Sequence, residues 1–124
     1  KCKFSDVNQM VKWLNINRMG ESSSLRNLVI NFRSTPLRTG YNLKQFLLRL
    51  PNLERVFIDF TYTPINDATL EPLAQAFETM SKLQSLELII RGCLSVSYNG
   101  VKSFEKKVKQ RNSIPTVSIN HDKY

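Results

Sequence analysis

Leu83-Gln84-Ser85-Leu86-Glu87-Leu88-Ile89-Ile90 is the stretch whose reading decides the fold. Its spaced apolar residues are Leu83, Leu86, Leu88 and Ile90, separated by two residues, then one, then one. The same spacing recurs at Leu25-Leu28-Ile30-Phe32, at Leu53-Val56-Ile58-Phe60 and at Ile114-Val117-Ile119-His121, where a histidine takes the fourth place. The first residues of successive copies lie 28, 30 and 31 positions apart. Self-similarity at such a period marks an array of stacked units, none of which can bury its apolar face alone. Within each copy the last apolar positions alternate with other residues, such as Val29 and Asn31 or Phe57 and Asp59. That period of two belongs to a β-strand.

Working outward, each strand is followed by a polar connection and a single apolar anchor: Leu37, Ile65 or Val96. A helical pattern comes next. Leu43, Leu47 and Leu50 carry it in the first unit, Leu70, Leu73 or Ala74, and Phe77 in the second, and Val101, Phe104 and Val108 in the third. Spacings of three and four place each set on one helical face. Asn42, with Gln45 three residues on, reads as the cap of the first helix. Thr69 reads as the cap of the second, which puts Pro72 in the first turn, where its missing N–H costs nothing. A cap at Asp67 would instead make Pro72 remove a helical bond. Asn99-Gly100 reads as the turn that caps the third. Ahead of the first full unit, Ser5 opens a helix to about residue 16, with Val7, Met10, Val11 and Leu14 inward, and residues 17–24 form a loop. The strand preceding that helix is missing or reduced to residues 1–4.

A strand that returns through a helix runs parallel to the one before it. The expectation is a single α/β domain over residues 1–124, divided into a partial N-terminal repeat (1–24), full repeats (25–52, 53–82 and 83–113) and a final strand and tail (114–124). The units stack into a solenoid of roughly 3.5–4 repeats, with parallel strands on its concave face and helices on its convex face.

This pattern resembles the leucine-rich repeat family, and its ribonuclease-inhibitor-like subclass in particular, because each unit has room for a full helix. Ile65-Asn66-Asp67-Ala68-Thr69-Leu70-Glu71-Pro72-Leu73 is similar to that subclass's turn-and-helix entry, and Asn99-Gly100-Val101 looks similar one unit later. The chain departs from the family where an asparagine or cysteine is expected soon after the strand. Thr35, Thr63 and Cys93 stand nearest, and only Cys93 qualifies. No capping unit is recognisable, so the end units are expected to meet a partner or to continue into a longer array. The resemblance implies a binding surface rather than a reaction centre, and it leaves the partner unnamed.

Composition is consistent with that expectation. A hydrophobic fraction of 41% and a charged fraction of 23% are the proportions of an ordinary soluble domain. No apolar run approaches the ~20 residues of a membrane helix, and no N-terminal segment reads as a signal peptide. Cys2 and Cys93 lie on different units, which is no disulfide framework and points to a reducing, intracellular compartment, cytoplasmic or organellar. The net charge of +8 is uneven: +7 over residues 1–52, −4 over 53–90 and +5 over 91–124.

Reaction chemistry is not legible. The single histidine, His121, stands beside Asp122 at the end of the chain, without the pocket that orients a catalytic base. One histidine and two distant cysteines do not converge as metal ligands. Gly20, Gly40, Gly92 and Gly100 are too scattered to cradle a phosphate. Glu54, Asp59, Asp67 and Glu71 read as solvated charges. The expectation is a protein that is not an enzyme, with no catalytic residue, metal or cofactor.

Binding residues are easier to nominate. Strand residues turned away from the core form three columns: Val29, Phe57, Glu87 and Ser118; Asn31, Asp59, Ile89 and Asn120; and Arg33, Thr61, Arg91 and Asp122. The candidate protein-binding set on the strand face is therefore Val29, Asn31, Arg33, Phe57, Asp59, Thr61, Glu87, Ile89 and Arg91. An apolar patch of this kind marks protein contacts, and Phe57 and Arg91 are of types enriched at hot spots. Tyr62, Tyr98 and Trp13 are further aromatic candidates. Lys102, Lys106, Lys107, Lys109 and Arg111 on the third helix are a candidate contact for anions or nucleic acid, without interleaved aromatics for base stacking. The leading expectation is a non-catalytic protein–protein interaction module, a structural or adaptor subunit of a larger assembly. One alternative is a subunit of a ribonucleoprotein or organellar complex that uses its basic ends. Another is the substrate-recognition part of a ubiquitin ligase, although no adaptor-binding helix motif precedes the repeats.

Overall fold

The computed structural model describes residues 2–4, 25–34, 37, 40–111 and 116–120. Strands and helices alternate along them: β1 (Cys2–Phe4), β2 (Asn27–Asn31), α1 (Tyr41–Leu48), β3 (Arg55–Asp59), α2 (Asp67–Glu78), β4 (Ser85–Ile89), α3 (Tyr98–Arg111) and β5 (Thr116–Asn120). The strands form one five-stranded parallel sheet in chain order. Two of the three predicted columns hold in the strand pairing; the third, of Arg33, Thr61, Arg91 and Asp122, lies past the paired residues. Val29 pairs with Phe57, Phe57 with Glu87 and Glu87 with Ser118, and the Asn31, Asp59, Ile89 and Asn120 series matches in the same way. The reduced strand expected over residues 1–4 is β1, paired with Leu28, Val29 and Ile30.

The alternation decides which face is buried. Leu28, Ile30, Val56, Ile58, Leu86 and Leu88 are at most 3% exposed and share one core with the inward faces of α1, α2 and α3. Each such side chain contributes about 1.5–3 kcal/mol by leaving water. Just past the strands, Phe32 and Phe60 stack at 5.8 Å, and Phe77 meets Phe104 edge-on at 6.2 Å between α2 and α3. The ladder extends beyond the strands: Ser34 N–H donates to the Thr61 carbonyl and Tyr62 N–H to the Arg91 carbonyl, both at 2.9 Å.

All three expected caps are wrong, and the corrections at α1 and α3 have a tertiary cause, whereas that at α2 is local. Gly40 holds the N-cap position of α1 with no side-chain bond, and Asn42 lies inside the helix. A Cβ on Gly40 would stand 2.5 Å from the Thr69 carbonyl oxygen, so the next unit's backbone demands glycine there. Asn66, not Thr69, caps α2. It accepts from Thr69 N–H, and Thr69 Oγ1 accepts in return from Asn66 N–H, both at 3.1 Å, a complete capping box. Pro72 therefore lies inside the helix and deprives the Ala68 carbonyl of its partner; Ala68 is exposed, where water can serve it.

Ser97, not Asn99, caps α3. Its Oγ accepts from Gly100 N–H at 3.0 Å, while its own N–H and hydroxyl donate to Asp67 at 2.7 and 2.6 Å. Asp67 at the start of α2 thus positions the start of α3. Replacing Asp67 by alanine is expected to cost about 1–2 kcal/mol. A urea-unfolding cycle with Ser97→Ala should show the two losses to be strongly non-additive.

After β3 and β4 the place of the expected asparagine or cysteine is filled. Cys93 is buried and its thiol donates to the Phe60 carbonyl at 3.0 Å. Thr63, a candidate expected not to qualify, is 4% exposed and donates its hydroxyl to the same carbonyl at 2.8 Å. The expected helix from Ser5, with Val7, Met10, Val11 and Leu14, lies outside the described residues, as do Trp13, Thr35, His121 and Asp122. Among the described residues no helix is long and apolar enough to cross a membrane.

Candidate functional site

No described helix packs on the other sheet face. Outward strand residues there are mostly half-buried, which distinguishes them from the closed core. Two open depressions lie on it. One, of about 430 Å³, lies over the first halves of the central strands and is lined by Asn27, Val29, Arg55, Phe57, Ser85 and Glu87 among others. The second, of about 550 Å³, lies at the carboxyl ends of the strands, between Arg33, Asp59, Tyr62, Ile89, Arg91 and Asn120. The nominated residues are therefore shared between two sites rather than joined in one. Val29, Phe57 and Glu87 belong to the first, and Arg33, Asp59, Ile89 and Arg91 to the second.

Three nominated residues also have structural duties. Asn31 turns its side-chain oxygen to Arg33 N–H at 2.9 Å, and Asp59 accepts from Thr61 N–H and hydroxyl at 2.8 and 2.5 Å. These contacts close the strand ends as Asx-type turns. Thr61, nominated as a surface contact, is only 6% exposed; its bond to Asp59 draws it into the turn. Residues missed by the sequence reading are Asn27, Arg55 and Ser85, one column nearer the strand starts, and Leu94, which is 93% exposed. The period of two could have found the first three. Nothing in the sequence marks Leu94 as exposed.

The second depression has unusual backbone. Ser34, Tyr62 and Gly92 hold equivalent places after three successive strands, and all have positive φ: 61°, 58° and 73°. Tyrosine there costs about 1–2 kcal/mol relative to glycine. The ring lies against Gly92, where any Cβ would strike its Cδ1 and Cε1 atoms, and the Arg33 guanidinium sits 5.8 Å from the ring centroid. Neither Arg33 nor Arg91 has a carboxylate within ion-pair distance among the described residues.

The lysines of α3 differ. Lys102 and Lys109 both pair with Glu105, at 3.8 and 3.3 Å, and Lys102 also lies 5.4 Å from the Tyr98 ring centroid. Lys107 grips both oxygens of Glu71 on α2, at 2.5 and 2.6 Å. Lys106 is exposed, and the Arg111 side chain lies outside the described residues. Half-exposed pairs of this kind contribute about 0–1 kcal/mol each, but they reduce the charge offered to an anion.

The four carboxylates expected to be merely solvated are all engaged. Glu54 meets Arg26 at 3.1 Å, Asp59 holds Thr61, Asp67 holds Ser97 and Glu71 holds Lys107. No group of three histidine, cysteine, aspartate or glutamate side chains converges at metal-binding distance among the described residues. Compared with known proteins, the chain matches no family model, no curated protein and no solved structure.

Proposed function

We propose that the chain is a leucine-rich-repeat-like solenoid of roughly 3.5–4 units, concave on its strand side. We further propose that it acts as a non-catalytic protein-interaction module, a structural or adaptor subunit of a larger assembly. The observation that carries this reading is the sheet face without a described helix, on which Val29 and Phe57 stand directly side by side and Ile89 lies one column away. Apolar groups left half-buried on a regular face gain by meeting a partner.

Carboxylate pairing across α3 weighs against a nucleic-acid contact on the helix side. Affinity purification from the native source at moderate and high salt, with mass spectrometry and nucleic-acid staining, tests the proposal. A defined protein set should survive high salt with the wild-type chain and be lost with Phe57→Asp. Retention of every partner by the variant, or recovery of RNA that salt removes, contradicts it.

A further inference from the structure

We infer that the depression at the carboxyl ends of the central strands, walled by Arg33, Tyr62 and Arg91, receives the carboxylates of an acidic segment of the protein partner. The inference rests on the strand-face reading and adds the chemistry of the partner.

Charge complementarity selects the occupant. The lining carries two arginines and one carboxylate, Asp59, and that carboxylate is half-buried and turned to Thr61 by two hydrogen bonds. Among the described residues, Arg26, Lys102, Lys107 and Lys109 have carboxylate ion pairs within the chain, whereas Arg33 and Arg91, like Arg55, Lys82 and Lys106, have none; Arg33 and Arg91 are the two that share one depression. Guanidinium groups are suited to bidentate carboxylate recognition, and an unpaired pair of them on a rim attracts anions. Arg33 and Arg91 follow strands two apart in the sheet, so their backbones stand about 10 Å from each other. An extended peptide places alternate side chains about 7 Å apart on one side. Two acidic residues spaced in that way come within reach of both long arginine side chains.

Tyr62 supplies the floor between them. It is 62% exposed, yet it occupies a backbone conformation that suits glycine, and it lies between Gly92 and the Arg33 guanidinium. Strain of this kind, kept at the centre of an open pocket, is a mark of a binding site. The phenol offers a donor to a carboxylate, and the ring face keeps Arg33 from lying flat in solvent.

The test uses the intact chain and fluorescein-labelled hexaglutamate, with labelled hexauridylate for comparison, read by fluorescence anisotropy. Arg33→Glu with Arg91→Glu is expected to weaken hexaglutamate binding at least about tenfold. Lys106→Glu with Lys109→Glu should leave it within about twofold, since those residues lie on α3. Tyr62→Gly should weaken it several-fold without lowering the thermal midpoint, a split that loss of structure alone would not produce. Absence of hexaglutamate binding, equal weakening by the α3 variant, or preference for hexauridylate each overturns the inference. Purification from the native source separates the two readings. If the arginine variant keeps partners that Phe57→Asp loses, the anion pocket falls and the strand-face proposal stands. If Phe57→Asp keeps every partner, the strand-face proposal itself falls.

Discussion

Truncation of Phe60 to alanine is expected to lower stability by about 3–5 kcal/mol. Phe60 is wholly buried, stacks on Phe32 of the previous unit, and follows the central strand β3. Removing the ring deletes the stack on Phe32 and leaves a void in a close-packed core. Small domains have only about 5–15 kcal/mol in total, so the variant should be partly unfolded near physiological temperature. Phe57, three residues earlier, gives the contrast. It faces outward and is half-buried, so Phe57→Ala should cost about 1 kcal/mol or less. Guanidinium unfolding of the two variants checks this directly. Similar losses for both would mean that the outer face is as closed as the core.

The second large effect is expected at Gly92. Its φ of 73° is unfavourable to any side chain, and an added Cβ would also strike the Tyr62 ring. Gly92→Ala should therefore cost about 2 kcal/mol, roughly half to all of it from the left-handed backbone. The remainder comes from pushing Tyr62 away. Because the displaced ring is the floor of the arginine pocket, the same variant should bind hexaglutamate more weakly. Thermal unfolding measures the first effect and anisotropy the second. Full retention of both would mean that Tyr62 does not depend on Gly92.

The strands, their register and the core were legible because one regular pattern specifies all three. An apolar period of two fixes which side of β2, β3 and β4 is buried. A slip of one residue would turn Leu28, Ile58 and Leu88 outward together. The helical faces were legible for the same reason. Caps were not. Several residues near each helix start can cap; Asn66 prevails over Thr69 through a local capping box, and Ser97 over Asn99 with Asp67, 30 residues away, holding it. Charges were misread for a related reason. Glu71 and Lys107 lie 36 residues apart and look solvated until α2 and α3 are laid side by side. Site residues were half legible. The columns could be drawn from alternation alone, but the turn that buries Thr61 in the lining of the second depression depends on hydrogen bonds that no spacing announces.

A strand-face interface makes a definite demand on where protection falls when the partner is bound. The most direct measurement is covalent side-chain footprinting of the chain alone and in the complex recovered from its native source. A contact through the sheet predicts protection at Phe57, Tyr62 and Ile89, with Lys102, Lys106 and Lys109 of α3 labelled equally in both states. Protection of those lysines with Phe57, Tyr62 and Ile89 unchanged would contradict it and place the partner on the helices.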